Sequence, residues 1–135
     1  MEINFWSVLV AAVVAFVISA VWYSPILFGK EWMALAGCDE KDIAEAKSKG
    51  VTKYYIIQLI MTLISFCVLG FAMNVAGIQG TSDGAFVGII AWLGFSVPLY
   101  VGNYMWDRRP AKLVLINAVC GLLTMVIGGA IIGAW

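Results

Sequence analysis

The residues best placed to do chemistry in this chain are neutral. Gln58, Asn103 and Asn117 stand inside long apolar stretches, and an amide there offers donors and acceptors without the cost of a buried charge. At a helical rise of ~1.5 Å per residue, Gln58 falls about one turn into its stretch, Asn103 about one turn before the end of the next, and Asn117 about two turns into the last. All three therefore lie in the half nearest the basic loops. With Tyr23 and Ser24 from the first stretch they could converge on a polar pocket, ringed by Trp22, Trp106 and Arg109. The same amides could instead bond to neighbouring helices as packing contacts, worth roughly 0.6 kcal/mol each.

Other chemistry is poorly supplied. Histidine is absent, which removes the commonest general base, metal ligand and haem ligand together. Cys38, Cys67 and Cys120 are odd in number and widely spaced, so neither a disulfide framework nor a zinc site is indicated. Cys67 and Cys120 fall inside apolar stretches, where a thiol behaves as a small apolar group. No nucleophile elbow, P-loop or catalytic carboxylate pair is present, so the chain is expected to be no enzyme and to need no cofactor. A carboxylate at the bilayer centre costs about 2.5–3.5 kcal/mol, and here Glu2, Asp83 and Asp107 all fall at the ends of stretches. This argues against proton-coupled antiport of the small multidrug type, which depends on a carboxylate inside its first helix. The formal net charge is zero, without long like-charge runs, and no nucleic-acid partner is expected.

The elements that must position these residues follow from composition. The chain is 63% hydrophobic and 12% charged, against roughly 25% charged in soluble domains. Continuous apolar stretches run over about 3–27, 54–76, 83–105 and 111–135, each longer than the ~20 residues a helix needs to cross ~30 Å of hydrocarbon. Strands are disfavoured because the stretches do not alternate and lipid tolerates no open sheet edge. The expected fold is all-α: one integral membrane domain over 1–135, a four-helix bundle. The first stretch carries Glu2 rather than a basic n-region and reads as a permanent helix, not a cleaved leader.

Charge sets the expected direction. All eight basic residues lie either at Lys30, Lys41, Lys47, Lys49 and Lys53 or at Arg108, Arg109 and Lys112. Both loops are then cytoplasmic and both termini outside. Trp22, Trp32 and Trp106 are expected to anchor the inner interface, and Trp135 the outer one. The first loop predicts two short helices: an amphipathic one over 30–36, and a soluble one that Asp39 caps and Gly50 ends. Its charges read chiefly as a solvated face.

Small residues recur every four positions at Ala11, Ala15 and Ser19, at Gly84 and Gly88, and at Gly129 and Gly133. Such spacing lets helices approach closely, within one chain or between copies. Pro98 predicts a kink near Gly94, with Ser96 beside it. The two ends Trp22-Tyr23-Ser24-Pro25 and Tyr104-Met105-Trp106-Asp107-Arg108-Arg109-Pro110 echo one another. They suggest either two like-oriented hairpins or the ordinary gathering of aromatics and prolines at interfaces.

The string Trp22-Tyr23-Ser24-Pro25-Ile26-Leu27-Phe28-Gly29-Lys30-Glu31-Trp32-Met33, taken with Arg109-Pro110-Ala111-Lys112-Leu113 and Leu115-Ile116-Asn117-Ala118, resembles an uncharacterised family of small bacterial four-helix membrane proteins, a domain of unknown function. The ending Gly129-Ala130-Ile131-Ile132-Gly133-Ala134-Trp135 is similar too. The resemblance implies this fold and a bacterial inner membrane, and no activity. It also implies an aromatic and a histidine after the Asn-Ala of the fourth helix, where this chain has Cys120 and Gly121. The leading expectation is a non-enzymatic membrane protein that works through helix packing among membrane lipids, as a homo-oligomer or with a membrane-protein partner. The alternative is a small transporter or a lipid- or small-molecule-binding protein using the polar pocket, and a cavity wider than one water at Gln58, Asn103 and Asn117 would favour it.

Overall fold

The computed structural model describes residues 4–135; Glu2 and Ile3 lie outside them. The described chain is helical: α1 Phe5–Trp22, α2 Gly29–Ala36, α3 Glu40–Lys49, α4 Thr52–Val75, α5 Thr81–Ala91, α6 Val97–Met105 and α7 Ala111–Ala134. A π-turn, Trp92–Ser96, joins α5 to α6 in one continuous third long helix. Among the described residues, four helices are long and apolar enough to cross a membrane: α1, α4, the third long helix Thr81–Met105, and α7.

The first long helix stops at Trp22, five residues short of the apolar stretch, for a local reason. Pro25 drives Ser24 out of the helical region, and the Ser24 hydroxyl donates to the Val21 carbonyl at 2.7 Å. The chain then folds into a corner before α2. The third helix expresses its proline as a wide turn, with the Val97 N–H donating to the Trp92 carbonyl. Such an i→i+5 bond accommodates a residue that lacks a donor and crowds the preceding turn. Between the first two long helices, α3 is closed by a capping box in which the Asp42 N–H donates to Asp39 and the Asp39 N–H to Asp42, at 2.8 and 3.1 Å.

The fourth long helix is the pillar. It packs against α1, α4 and, most extensively, α5. The α5 contact is backbone on backbone: a Cβ on Gly84 would run into the Gly129 carbonyl, one on Gly129 into the Gly84 carbonyl, and one on Gly133 into the Gly80 carbonyl. Gly88 lies as closely against the Met125 carbonyl. All four glycines of the two small-residue repeats thus meet inside the chain. On the other side, Val8, Ala11, Ala12 and Ala15 form a small-residue face that packs with Phe66, Leu69 and Met73 of α4 into a buried core. Phe66 is seated in the space that a Cβ on Gly128 would fill. By contrast, α4 barely packs on the third long helix.

The two helix ends that echo in sequence are built differently. One folds into the compact corner, while the other reaches Met105 and turns with Arg108 at φ 53°. They share interfacial residue types and not a common turn.

Gly84→Ala and Gly129→Ala each press a methyl on a backbone carbonyl that no rotamer change relieves, and each should destabilise the bundle by about 1–3 kcal/mol. Gly102 has open space around it, so Gly102→Ala should be neutral or stabilising by up to about 1 kcal/mol. Reversible unfolding in detergent checks the contrast, and equal midpoints for all three variants would contradict the backbone contact.

Candidate functional site

A cleft of about 870 Å³ occupies the half of the bundle nearest the basic loops, and all four long helices contribute to it. Tyr23 and Tyr55 line it toward that end, and Ala15, Phe66 and Met125 at mid-depth. Because Phe66 also belongs to the buried core, the core closes the cleft from the opposite end. Its volume exceeds many times the roughly 30 Å³ of one water.

Polar groups enter from each side. Gln58, Thr62 and Ser65 come from α4; Ser96 and Tyr100 come from the π-turn and α6; Asn117, Cys120 and Thr124 come from α7. The Thr62 and Thr124 hydroxyls are satisfied by their own helices, on the carbonyls of Gln58 and Gly121 at 2.8 and 3.0 Å. Ser19 Oγ and Cys120 Sγ lie 3.8 Å apart. The Tyr23 hydroxyl donates to Asn117 Oδ1 at 2.7 Å, which leaves the Asn117 amide donors for the cleft. The Gln58 amide and the hydroxyls of Ser65, Ser96 and Tyr100 make no hydrogen bond within the described chain, and their polar atoms reach the open surface of the cleft and are not sealed in. None of the described residues lining the cleft is charged.

Asn117 is bracketed by two indoles. Trp22 Nε1 donates to the Ile116 carbonyl at 3.1 Å, and Trp92 Nε1 to the Ala118 carbonyl at 2.9 Å. The first ties the end of α1 to α7, and the second ties the third helix to α7 at the same level. A buried indole N–H must find an acceptor, and here that need sets the width of the cleft at Asn117.

The corner after α1 is built to hold Trp22 and Tyr23 in these positions. The N–H of Phe28 donates to the Trp22 carbonyl at 3.0 Å and that of Gly29 to the Ser24 carbonyl at 2.9 Å. Gly29 is buried, and a Cβ there would stand 2.7 Å from the Ser24 carbonyl oxygen, so the corner closes only on glycine. The Trp22 ring packs on Phe28 at 4.5 Å and the Tyr23 ring edge-on to Trp32 at 6.1 Å. An ion pair, Glu31 to Lys112 at 2.9 Å, joins α2 to the start of α7 and puts both basic loops at one end.

The π-turn decides which face of the third helix meets the cleft. A straight α-helix would continue the stripe of Gly84 and Gly88 through Phe95 and Leu99. One extra residue in the turn moves the stripe on by one, so Ser96 and Tyr100 line the cleft while Phe95 and Leu99 are 80% and 70% exposed. Gly121 makes room for Tyr100: a Cβ there would lie 2.6 Å from the Tyr100 hydroxyl oxygen. This is one of the two positions where the family resemblance implies larger side chains.

Of the residues singled out from sequence, Tyr23, Gln58 and Asn117 are brought together on the cleft. Ser24 is turned back on Val21. Asn103 and Arg109 are exposed and outside the lining, joined only by the Arg109 N–H donating to the Asn103 carbonyl at 3.2 Å. The reason is direction: no residue of α6 is buried, so depth along the helix did not place Asn103 inward. Trp106 and Trp135 are exposed, whereas Trp22 and Trp32 are half-buried in the corner. Trp92 and Tyr100 were not singled out. A tryptophan at mid-helix in lipid depth is the signal that would have found the first.

Residues 6–133 match the model of a protein family of unknown function, DUF1761. The chain belongs to this family. No curated protein and no solved structure matches it. The family match covers both the corner and the start of α7, the two segments that meet around Asn117.

Tyr23→Phe and Asn117→Ala each remove one partner of a part-buried bond and should cost about 0.5–1.5 kcal/mol. The double variant should cost less than their sum by about 0.6 kcal/mol or more. Strict additivity in detergent unfolding would contradict the bond.

Proposed function

We propose that this chain is a polytopic membrane protein that binds a small uncharged molecule in its intramembrane cleft, for carriage or sensing and without chemical conversion. The observation that carries this reading is the set Gln58, Ser65, Ser96 and Tyr100, whose side chains line the cleft without hydrogen bonds to the described chain. Polar groups at that depth are costly unless a partner meets them. A pocket of several hundred Å³ with a few convergent polar groups is the usual form of a ligand site. Self-association through the glycine repeats is less well supported, because Gly84, Gly88, Gly129 and Gly133 are already packed within the chain.

The orientation that accompanies this reading has both basic loops in the cytoplasm and both termini outside the inner membrane, so the cleft lies in the cytoplasmic half. The basic loops share one end through Glu31 and Lys112, which suits the positive-inside rule.

Purified in discs cut directly from its membrane, the wild-type chain should carry an enriched neutral molecule detectable by mass spectrometry of an organic extract. Gln58→Leu with Asn117→Leu should lose it by about thirtyfold, since each of the two lost polar contacts removes on the order of 1 kcal/mol. Equal extracts from both proteins would overturn the reading. For orientation, Cys38 in the first loop should react with a membrane-impermeant maleimide only after permeabilisation, and labelling on intact cells would reverse the assignment.

A further inference from the structure

The cleft has a side door. Residues of α4 and of the third helix both line it, yet these two helices barely pack on each other. Gln58 and Ser65 are exposed in the single chain, although they lie within a helix apolar enough to cross a membrane. Their free face is the gap toward Ser96 and Tyr100, so the cleft opens sideways into the lipid. At the loop end, the α1–α7 side is roofed: Tyr23 is bonded to Asn117, Trp32 packs on Tyr23, and α2 packs on α7 beneath the Glu31–Lys112 pair.

We infer that the cleft takes a lipid-like molecule with an uncharged hydroxyl-bearing head and a hydrocarbon chain, admitted laterally from the leaflet between α4 and the third helix. This rests on the binding reading above and names its ligand class. The head must be uncharged because the described lining holds no charge to pair with it, and an unpaired charge at that depth is expensive. The amides of Gln58 and Asn117 and the hydroxyl of Tyr100 match a head that both donates and accepts hydrogen bonds. Phe16, Phe66 and Met125 supply the apolar wall for the chain. Lateral entry spares such a ligand passage through water, and the gap lets its tail remain in the bilayer.

The test uses the full chain in phosphatidylcholine vesicles doped with a monoacylglycerol that carries a photoreactive diazirine in its acyl chain. Cross-links should concentrate on cleft residues of α4 and the third helix, such as Ser65, Phe66 and Tyr100. Unlabelled monoacylglycerol should compete, and a fatty-acid anion of equal chain length should compete about tenfold less well or worse. Ser65→Trp narrows the gap on an exposed position and should reduce labelling several-fold, while Phe86→Trp on the outward face of α5 should not; thermal unfolding verifies that both variants are folded. Labelling spread evenly over Phe86, Ile90 and Leu93 would overturn the inference. If the enriched neutral molecule of the preceding experiment is present but monoacylglycerol neither labels nor competes, the lipid class falls and the binding reading stands. Loss of both signals overturns both.

Discussion

Backbone contact between α5 and α7 is the constraint from which the cleft follows. Gly84, Gly88, Gly129 and Gly133 hold the halves of the third and fourth long helices far from the basic loops so close that a single methyl at Gly84 or Gly129 meets a carbonyl oxygen. Two helices locked at one end must either run together to the other or be parted by a change of direction. The π-turn at Trp92–Ser96, with Pro98 behind it, makes that change. It leaves α6 without a buried residue and turns Ser96 and Tyr100, in place of Phe95 and Leu99, toward the axis. The half far from the basic loops is welded, and the half near them is open and polar.

The opening is held at a set width from two sides. Indole N–H groups of Trp22 and Trp92 dock on one turn of α7, on the carbonyls either side of Asn117, and the Tyr23 hydroxyl fixes the Asn117 side-chain carbonyl. Much of the corner Trp22–Met33 serves that docking: Gly29 permits the close turn, Phe28 and Trp32 back the two aromatic rings, and Glu31 reaches Lys112. The corner string and the strings at the start of α7 that carry the family resemblance are therefore two halves of one contact. What they frame is a cleft whose described lining carries no charge, and no metal-ligating cluster is present among the described residues.

Much of the architecture is legible in the sequence. Continuous apolar stretches located four long helices because lipid imposes length and composition on anything that crosses it, and Asp39 and Gly50 marked α3 through ordinary capping chemistry. Less of the site was legible. Depth along a helix can be counted from sequence, and Tyr23, Gln58 and Asn117 do share the cleft. Direction around the helix axis depends on tertiary packing, and Asn103 at a similar depth lies outside the lining. From sequence Ser96 is an accessory to the proline kink, since the register shift that makes it a lining residue exists only once the π-turn forms. Trp22 was read as an interfacial anchor by residue type, whereas its bond to the Ile116 carbonyl needs α1 to end where Pro25 makes it end. The glycine repeats were compatible with contacts within or between chains, and only their mutual register places α5 on α7.

The gap between α4 and the loop-side half of the third long helix is proposed as a ligand site and not loose packing. A structure of the chain in discs formed directly from its native membrane tests this most directly. The account requires density for a neutral, elongated molecule within hydrogen-bonding distance of Gln58, Asn117 or Tyr100 and reaching out between α4 and α6. Collapse of α4 onto α6, with Gln58 and Tyr100 bonded to each other and nothing between them, would contradict it.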